Sequence, residues 1–288
     1  MMPDKIDYVN SILPFLKWAG GKQRLLVQYK PYFPPAGTIG HYFEPFIGSA
    51  AVFFHQQYPQ ATLADQNGKL IEVYRSVRDD LDQVLLALNL HRNEADYYYI
   101  IRALDPADLT AAERAARLIY LNKTCYNGLY RENSRGEFNV PFGRYKNPKI
   151  CDEVRLRAAS AVLQGVDLQV ADFSDAVETA VAGDFVYFDP PYVPLSATSN
   201  FTNYNKRGFS REDQERLAKT VAELTDRGVK VMLSNSSAPL VYDLYGRSPY
   251  RIIDIRARRN INSNASRRGP VKELLILNYE SESERNFL

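Results

Sequence analysis

The chain has 288 residues, a formal charge of +2 and 45% hydrophobic residues. That is enough for one large α/β domain or one domain with an insertion, and partners must be argued from local rather than overall charge. No run of 18 apolar residues occurs, and the N-terminus MMPDKIDYVN lacks a secretory apolar stretch, so a cytoplasmic protein is expected. Cys125 and Cys151 read as free thiols, and His41, His55 and His91 have no metal-ligand spacing, so no metal is expected.

Residues 11–24 place Phe15, Lys17 and Trp18 before Gly20-Gly21-Lys22, a close-approach loop feeding a helix from Gln23. The spacing is not that of a Walker A loop. Residues 38–58 predict a strand, a tight turn at Gly48-Ser49-Ala50 and a helix, the first unit of a doubly wound sheet. The turn is too poor in glycine to favour pyrophosphate, and a smaller group such as an amino-acid moiety remains open. ATLAD ends a second strand at Asp65, where such folds hold ribose hydroxyls; a helix N-cap near Asn67 is the simpler alternative. From 68 to 119 the period is helical. Further helices at 94–104 and 110–122 are separated by Asp105-Pro106, and four helices without a strand predict an inserted helical domain.

Residues 120–149 suit a β-hairpin or loop pair punctuated by Asn-Gly, Arg-Gly and Phe-Gly turns. Lys123, Arg131, Arg135, Arg144, Lys146 and Lys149 alternate there with Tyr126, Tyr130, Phe138, Phe142 and Tyr145. Arg for guanine edges, Asn for adenine edges and Lys for phosphates would make this a nucleic-acid reader; a solvated loop with packed rings is the alternative. A helix near 150–163, the strand DLQVAD ending at Asp172, a helix at 174–181 and a strand from Phe185 to Phe188 follow. The last runs into Asp189-Pro190-Pro191-Tyr192, where a carboxylate, rigid carbonyls and a ring meet at a strand's C-terminal edge. Beyond a polar stretch at 195–209, Ser210 and Asp213 predict a capping box and Leu217, Val221 and Leu224 an amphipathic helix ending at Gly228. The strands VKVMLSN and VKELLILNYE then flank a segment, 251–272, with seven basic residues against Asp254. The tail SESERNFL is expected to fray.

Taken in order, FLKWAGGK, EPFIGSAAVF, ADQNGKLI, YNGLYRENSRGEFNVPFGRYKNP and YFDPPYVPLSAT resemble the DNA adenine-N6 methyltransferases of the D12 class, and within them the Dam-type enzymes that modify GATC. The resemblance implies a Rossmann-like, seven-stranded mixed sheet carrying S-adenosylmethionine-dependent methyl transfer. It implies a catalytic domain at 1–65 and 150–288, and a helical target-recognition domain with a β-hairpin at 66–149. Trp18, Lys22, Glu44, Phe46, Gly48, Asp65, Asp172, Phe173 and Asp189 match cofactor-binding positions. Asp189, Pro190 and Tyr192 match the catalytic motif, and Lys17, Asn127, Leu129, Arg131, Pro141 and Arg144 match positions that read duplex DNA. No obligate protein partner is implied. Ala50 departs from the family's second glycine in the first-strand turn.

The residue types suit this chemistry. The exocyclic amine of adenine is a poor nucleophile because its lone pair is delocalised into the ring. Asp189 and the Pro190 carbonyl can accept from its N–H groups and favour a tetrahedral nitrogen, and Tyr192 can stack on a base flipped out of the duplex. The same motif type serves cytosine-N4, RNA and protein-glutamine methylation; the long basic hairpin favours DNA.

Overall fold

A computed structural model describes residues 12–195, 209–258 and 270–281. The basic residues Arg259, Arg267 and Arg268, nearly all of the polar stretch at 195–209 and the tail after Ser281 lie outside the described residues. The chain forms two compact units: Met1–Gln23 with Gly48–Pro59 and Gly68–Val166, and Arg24–Ile47 with Gln60–Asn67 and Asp167–Leu288. Among the described residues no helix is long and apolar enough to cross a membrane.

The second unit is built on a seven-stranded mixed sheet. Its strands are β1 (Tyr42–Glu44), β2 (Ala61–Asp65), β3 (Asp167–Val170), β4 (Phe185–Phe188), β5 (Lys230–Ser236), β6 (Arg251–Arg258) and β7 (Pro270–Leu277), in the order β3-β2-β1-β4-β5-β7-β6. The first five in that order run parallel, and β7 lies antiparallel to both β5 and β6. Every residue of β1 and β4 is buried, so both faces of these strands are covered, as continuous apolar runs require in a parallel sheet. The order reverses between β1 and β4. Such a switch point opens a crevice at the carboxyl ends of the strands.

The helix Arg211–Asp226 starts at the Ser210–Asp213 capping box and buries Leu217, Val221 and Leu224 on one stripe. They pack with Phe173, Val177, Phe188 and Leu233, and with Val241 and Tyr245 of a short helix at Pro239–Tyr245. Full burial of each such side chain contributes about 1.5–3 kcal/mol before chain entropy is set against it. Two expectations change here. The segment expected as a helix at 174–181 is only a 3₁₀ turn over Asp175–Val177. Gly183 and the Asp184 side chain, which accepts from Val181 N at 2.9 Å, end it before an α-helix can propagate. The basic segment after 250 begins with the edge strand β6, whose Asp254 pairs with Lys272 of β7 at 2.9 Å. Charges on an edge strand discourage further pairing.

The first unit is helical. It holds Ala51–Gln56, Gly68–Asp79, Leu81–Asn89, Ala95–Ala103, Ala111–Thr124 and Glu153–Leu163. The four helices expected between 68 and 124 are all present. The helix Ala111–Thr124 begins at a Thr110–Glu113 capping box, and Leu118 to Thr124 are buried without a break, so its C-terminal half lies inside the unit. After it the chain forms a loop pair held by two isolated antiparallel bridges, Cys125 with Phe142 and Glu132 with Phe138, rather than a continuous ladder. Asn127 and Arg144 have left-handed backbones and Pro141 has no N–H to donate, which breaks the pairing.

Candidate active site and nucleic-acid interface

In the sheet unit the parallel strands deliver acids to one edge. Glu44 ends β1, is 3% exposed, and accepts from the Tyr42 hydroxyl at 2.8 Å. Asp65 ends β2, and its Oδ1 accepts from Asn67 N at 2.9 Å, so it does shape the turn into the next helix. That does not exhaust a carboxylate's capacity. Two residues beyond β3, Asp172 is held by Arg216 of the helix Arg211–Asp226 at 2.5 and 2.9 Å, by Gln66 at 2.6 Å and by Ser174. The Arg216 guanidinium, and then the Ser174 donors, hold this carboxyl well below the usual range against the opposing effect of burial. Five donors already meet Asp172, so a ligand amine reaches it only if Arg216 or Gln66 yields. Phe173 stacks on Phe46 at 5.6 Å, and Arg216 lies 4.1 Å above the Phe173 ring.

The loop after β4 is fixed from several sides. Ser234 on β5 donates to Asp189 Oδ1 at 2.7 Å, and its oxygen meets the Tyr187 hydroxyl at 3.2 Å. The Gln214 amide of the helix Arg211–Asp226, 2% exposed, donates to the Pro191 carbonyl at 2.9 Å. Asn235 accepts from Val193 N at 3.1 Å, donates to Gln214 at 3.1 Å, and Ser236 donates to the Val193 carbonyl at 2.6 Å. The Tyr192 hydroxyl donates to Glu273 of β7 at 2.8 Å. Burial, and next the Asp189 carboxylate, raise the Tyr192 pKa far above the ordinary phenol value, which keeps this hydroxyl a donor. Nothing local in the sequence assigns Gln214 or Glu273 to this site; the signals are a glutamine within an amphipathic helix and an acid inside the apolar strand VKELLIL.

In the helical unit, Gly48 has φ +46°, and a Cβ there would lie 2.9 Å from Trp18 Cδ1. Trp18 stacks on Tyr130 of the loop pair at 5.1 Å, while buried Lys22 donates to the Gly20 carbonyl at 2.7 Å. Ala50, which stands where the resembled family has glycine, is itself left-handed at φ 54°. A residue with a Cβ is strained there, so Ala50→Gly should raise stability by about 0.5–1 kcal/mol, read as a higher denaturation midpoint. An unchanged or lower midpoint would show that the turn carries no such strain.

The same unit exposes Asn127, Arg131, Pro141 and Arg144, with Leu129 half-buried. Asn127 (φ 56°) and Arg144 (φ 54°) are both in the left-handed region. Side chains held in such conformations need support from their surroundings. Arg131 Nε donates to Asn139 Oδ1 at 2.7 Å. Lys17 is positioned by buried Asn122, which accepts from its N–H at 2.8 Å and donates to its carbonyl at 2.7 Å; the same amide reaches the Gly128 carbonyl. Lys17 also lies 4.3 Å from the Tyr145 ring centroid. With Lys123, Lys146, Lys149 and Arg155 it lines a cleft of about 320 Å³ in which Asp152 is the one carboxylate. Lys149 and Arg155 both pair with Asp152, at 2.7 and 3.3 Å. Burial, reinforced by Arg155 and Lys17, pulls the Lys123 ammonium down to about 8.

A mixed seven-stranded sheet with a switch point, acids at the carboxyl edge of its parallel strands and a braced Asp-Pro-Pro-Tyr loop are consistent with the methyltransferase class of α/β proteins. Residues 18–261 match the family of D12 class N6 adenine-specific DNA methyltransferases, and the chain belongs to that family. It is 43% identical over 277 residues to the "Type II methyltransferase M1.LlaDCHI" of Lactococcus lactis subsp. cremoris, covering 93% of this chain and 96% of the relative. It is 42% identical to the "Type II methyltransferase M.MjaIII" of Methanocaldococcus jannaschii, covering 93% of this chain and all of the relative. It is 38% identical over 267 residues to the "DNA adenine methylase" of Escherichia coli (strain K12), covering 91% and 94%. Membership implies an S-adenosylmethionine-dependent enzyme acting on adenine in DNA.

Proposed function

We propose that the chain methylates N6 of adenine within GATC in duplex DNA, in the cytoplasm, with the target base flipped out of the helix. The observation that carries this reading is the Asp189–Tyr192 loop, whose carboxylate and ring are each held by a separate strand. The groups present fit the cofactor: acceptor acids at Glu44 and Asp65 for amine and hydroxyl groups, and the half-buried Phe46 ring for its adenine, with Phe173 buried behind Phe46 and under Arg216 and so backing that ring. Asp172 joins them if Arg216 releases it. Trp18, Lys22 and Gly48 take the cofactor roles that the resemblance implies. When bound, S-adenosylmethionine supplies a methyl group on a positively charged sulfur, which leaves as a neutral thioether. Asp189 and the Pro190 carbonyl accept from the two N–H groups of the target amine, localise its lone pair and take up the positive charge that develops there. The surplus proton leaves along the Asp189 hydrogen bond. Tyr192 stacks on the flipped base.

In the helical unit, Asn127, Leu129, Arg131, Pro141 and Arg144 read the sequence, and the basic cleft around Lys17 and Lys123 holds phosphate. Burial pulls Lys123 down to about 8, so it loses its charge progressively as pH rises from about 7 to about 9. Duplex affinity should therefore be flat below about pH 7 and fall as pH rises through about 8, and Lys123→Met should flatten the profile. Fluorescence anisotropy across pH checks this, and an equally steep profile in Lys123→Met would assign the effect to another group.

Labelled S-adenosylmethionine with duplexes containing GATC, duplexes lacking it and an RNA of matching sequence tests the whole reading. Label entering only the GATC duplex is expected. Label in RNA, or equal label in both duplexes, would overturn the substrate assignment.

A further inference from the structure

Glu273 lies on β7 directly opposite Ser236 of β5, and Leu275 opposite Ser234. Directly opposed residues of an antiparallel pair share a face, and alternate residues of a strand share it too. Ser234, Ser236 and Glu273 therefore stand on one face at one end of the β5–β7 pair. Each is spent on a different point of the same loop: Ser234 on Asp189, Ser236 on the Val193 carbonyl, and Glu273 on the Tyr192 hydroxyl. An acid in the middle of an apolar strand costs stability unless it is used. Tyr29 is fully buried. Burial first, then Asp189 and Glu273, push its pKa well above the ordinary value, which places it near both carboxylates.

We propose that Glu273 is a positioning residue for methyl transfer: it holds the Tyr192 hydroxyl and so fixes where the ring on which the target adenine stacks is placed. The proposal rests on the reading of Asp189–Tyr192 as the catalytic loop. A phenol fastened at its tip cannot tilt about the Cα–Cβ bond without breaking its hydrogen bond to Glu273. Two strands thus set the two working parts of the loop separately, β5 the carboxylate and β7 the ring. A glutamine at 273 would still present a carbonyl oxygen to the phenol, whereas alanine would not.

Single-turnover methylation of a GATC duplex at saturating cofactor tests this. Glu273→Ala should slow methyl transfer by about ten-fold, the equivalent of one lost hydrogen bond, with KM for duplex and cofactor unchanged. Glu273→Gln should recover most of the rate. Tyr192→Phe should lose a similar factor, and adding Glu273→Ala to it should cost nothing more. A wild-type rate in Glu273→Ala, no recovery with glutamine, or additive losses in the double variant would each overturn the proposal; additivity would mean that Glu273 acts on the base itself. Should Glu273→Ala fail to fold, Tyr192→Phe at a wild-type rate would be decisive against it. Asp189→Ala run alongside separates the two levels. Turnover retained there removes the catalytic-loop reading, whereas an inactive Asp189→Ala beside a fully active Glu273→Ala removes only the role of Glu273.

Discussion

Asp189→Ala should abolish methyl transfer while leaving duplex affinity within about two-fold. Removing a single oriented acceptor or donor from a site of this kind lowers the rate by roughly 10²–10³, and Asp189 is asked both to accept from the target amine and to take its charge. Asp189→Asn is the sharper variant. It keeps an oxygen acceptor but replaces the other with a donor, so Ser234, which now donates to Oδ1 at 2.7 Å, competes with the amine for what remains. Its rate should lie nearer that of alanine than of wild type. Single-turnover methylation and anisotropy on the same preparations check the separation of chemistry from binding. Turnover retained in Asp189→Ala would remove the mechanism, and loss of duplex binding in step with activity would indicate a folding defect instead.

Arg131→Ala should cost discrimination rather than affinity in general. A bidentate contact to a guanine edge is worth about 1–3 kcal/mol of discrimination, roughly 5–150-fold between GATC and a duplex altered at that base. Arg131 is exposed, yet its guanidinium is already oriented by Asn139 and its own carbonyl accepts from Asn139 N at 3.0 Å. Asn139→Ala should therefore lose part of the same discrimination, since an unbraced side chain gives up more freedom on binding. Arg131→Lys should not restore it, because an ammonium cannot present the planar fork. Ratios of kcat/KM on GATC and single-substituted duplexes measure the effect. An unchanged profile would place the readout on another residue of the loop pair, with Arg144 next in line.

The sheet unit was the more legible of the two. Continuous apolar runs such as FVYF and ATLAD carry their own boundaries, and β4 and β2 fall on them because a buried parallel strand has no polar face to blur the pattern. Edge strand β6 was not legible, since its arginines and Asp254 look like a solvated basic segment until pairing with β7 is known. In the loop pair the alternation of basic and aromatic residues gave the composition of a reader. It did not show that two bridges replace a ladder, because the left-handed backbones at Asn127 and Arg144 depend on the surroundings that hold them.

The site divides in the same way. Its chemical vocabulary lies in the chain: an acid at the end of each of β1, β2 and β4, and a rigid Pro-Pro turn, because strand ends and prolines are local features. Who supports those residues is a matter of contacts between positions far apart in sequence. Ser234 is 45 residues from the Asp189 it orients, and Glu273 is 81 from the Tyr192 it holds. Asn122, 105 residues from Lys17, fixes the lysine's backbone. Asp172 shows the converse, an acid whose position in sequence suited a ligand and whose lone pairs tertiary structure gives to Arg216 and Gln66. Which groups could do the chemistry can be read along the chain, since side-chain type and strand position are local properties. Which of them are held and which are already engaged depends on the folded contacts, because hydrogen bonds are satisfied by whatever folding brings within about 3 Å.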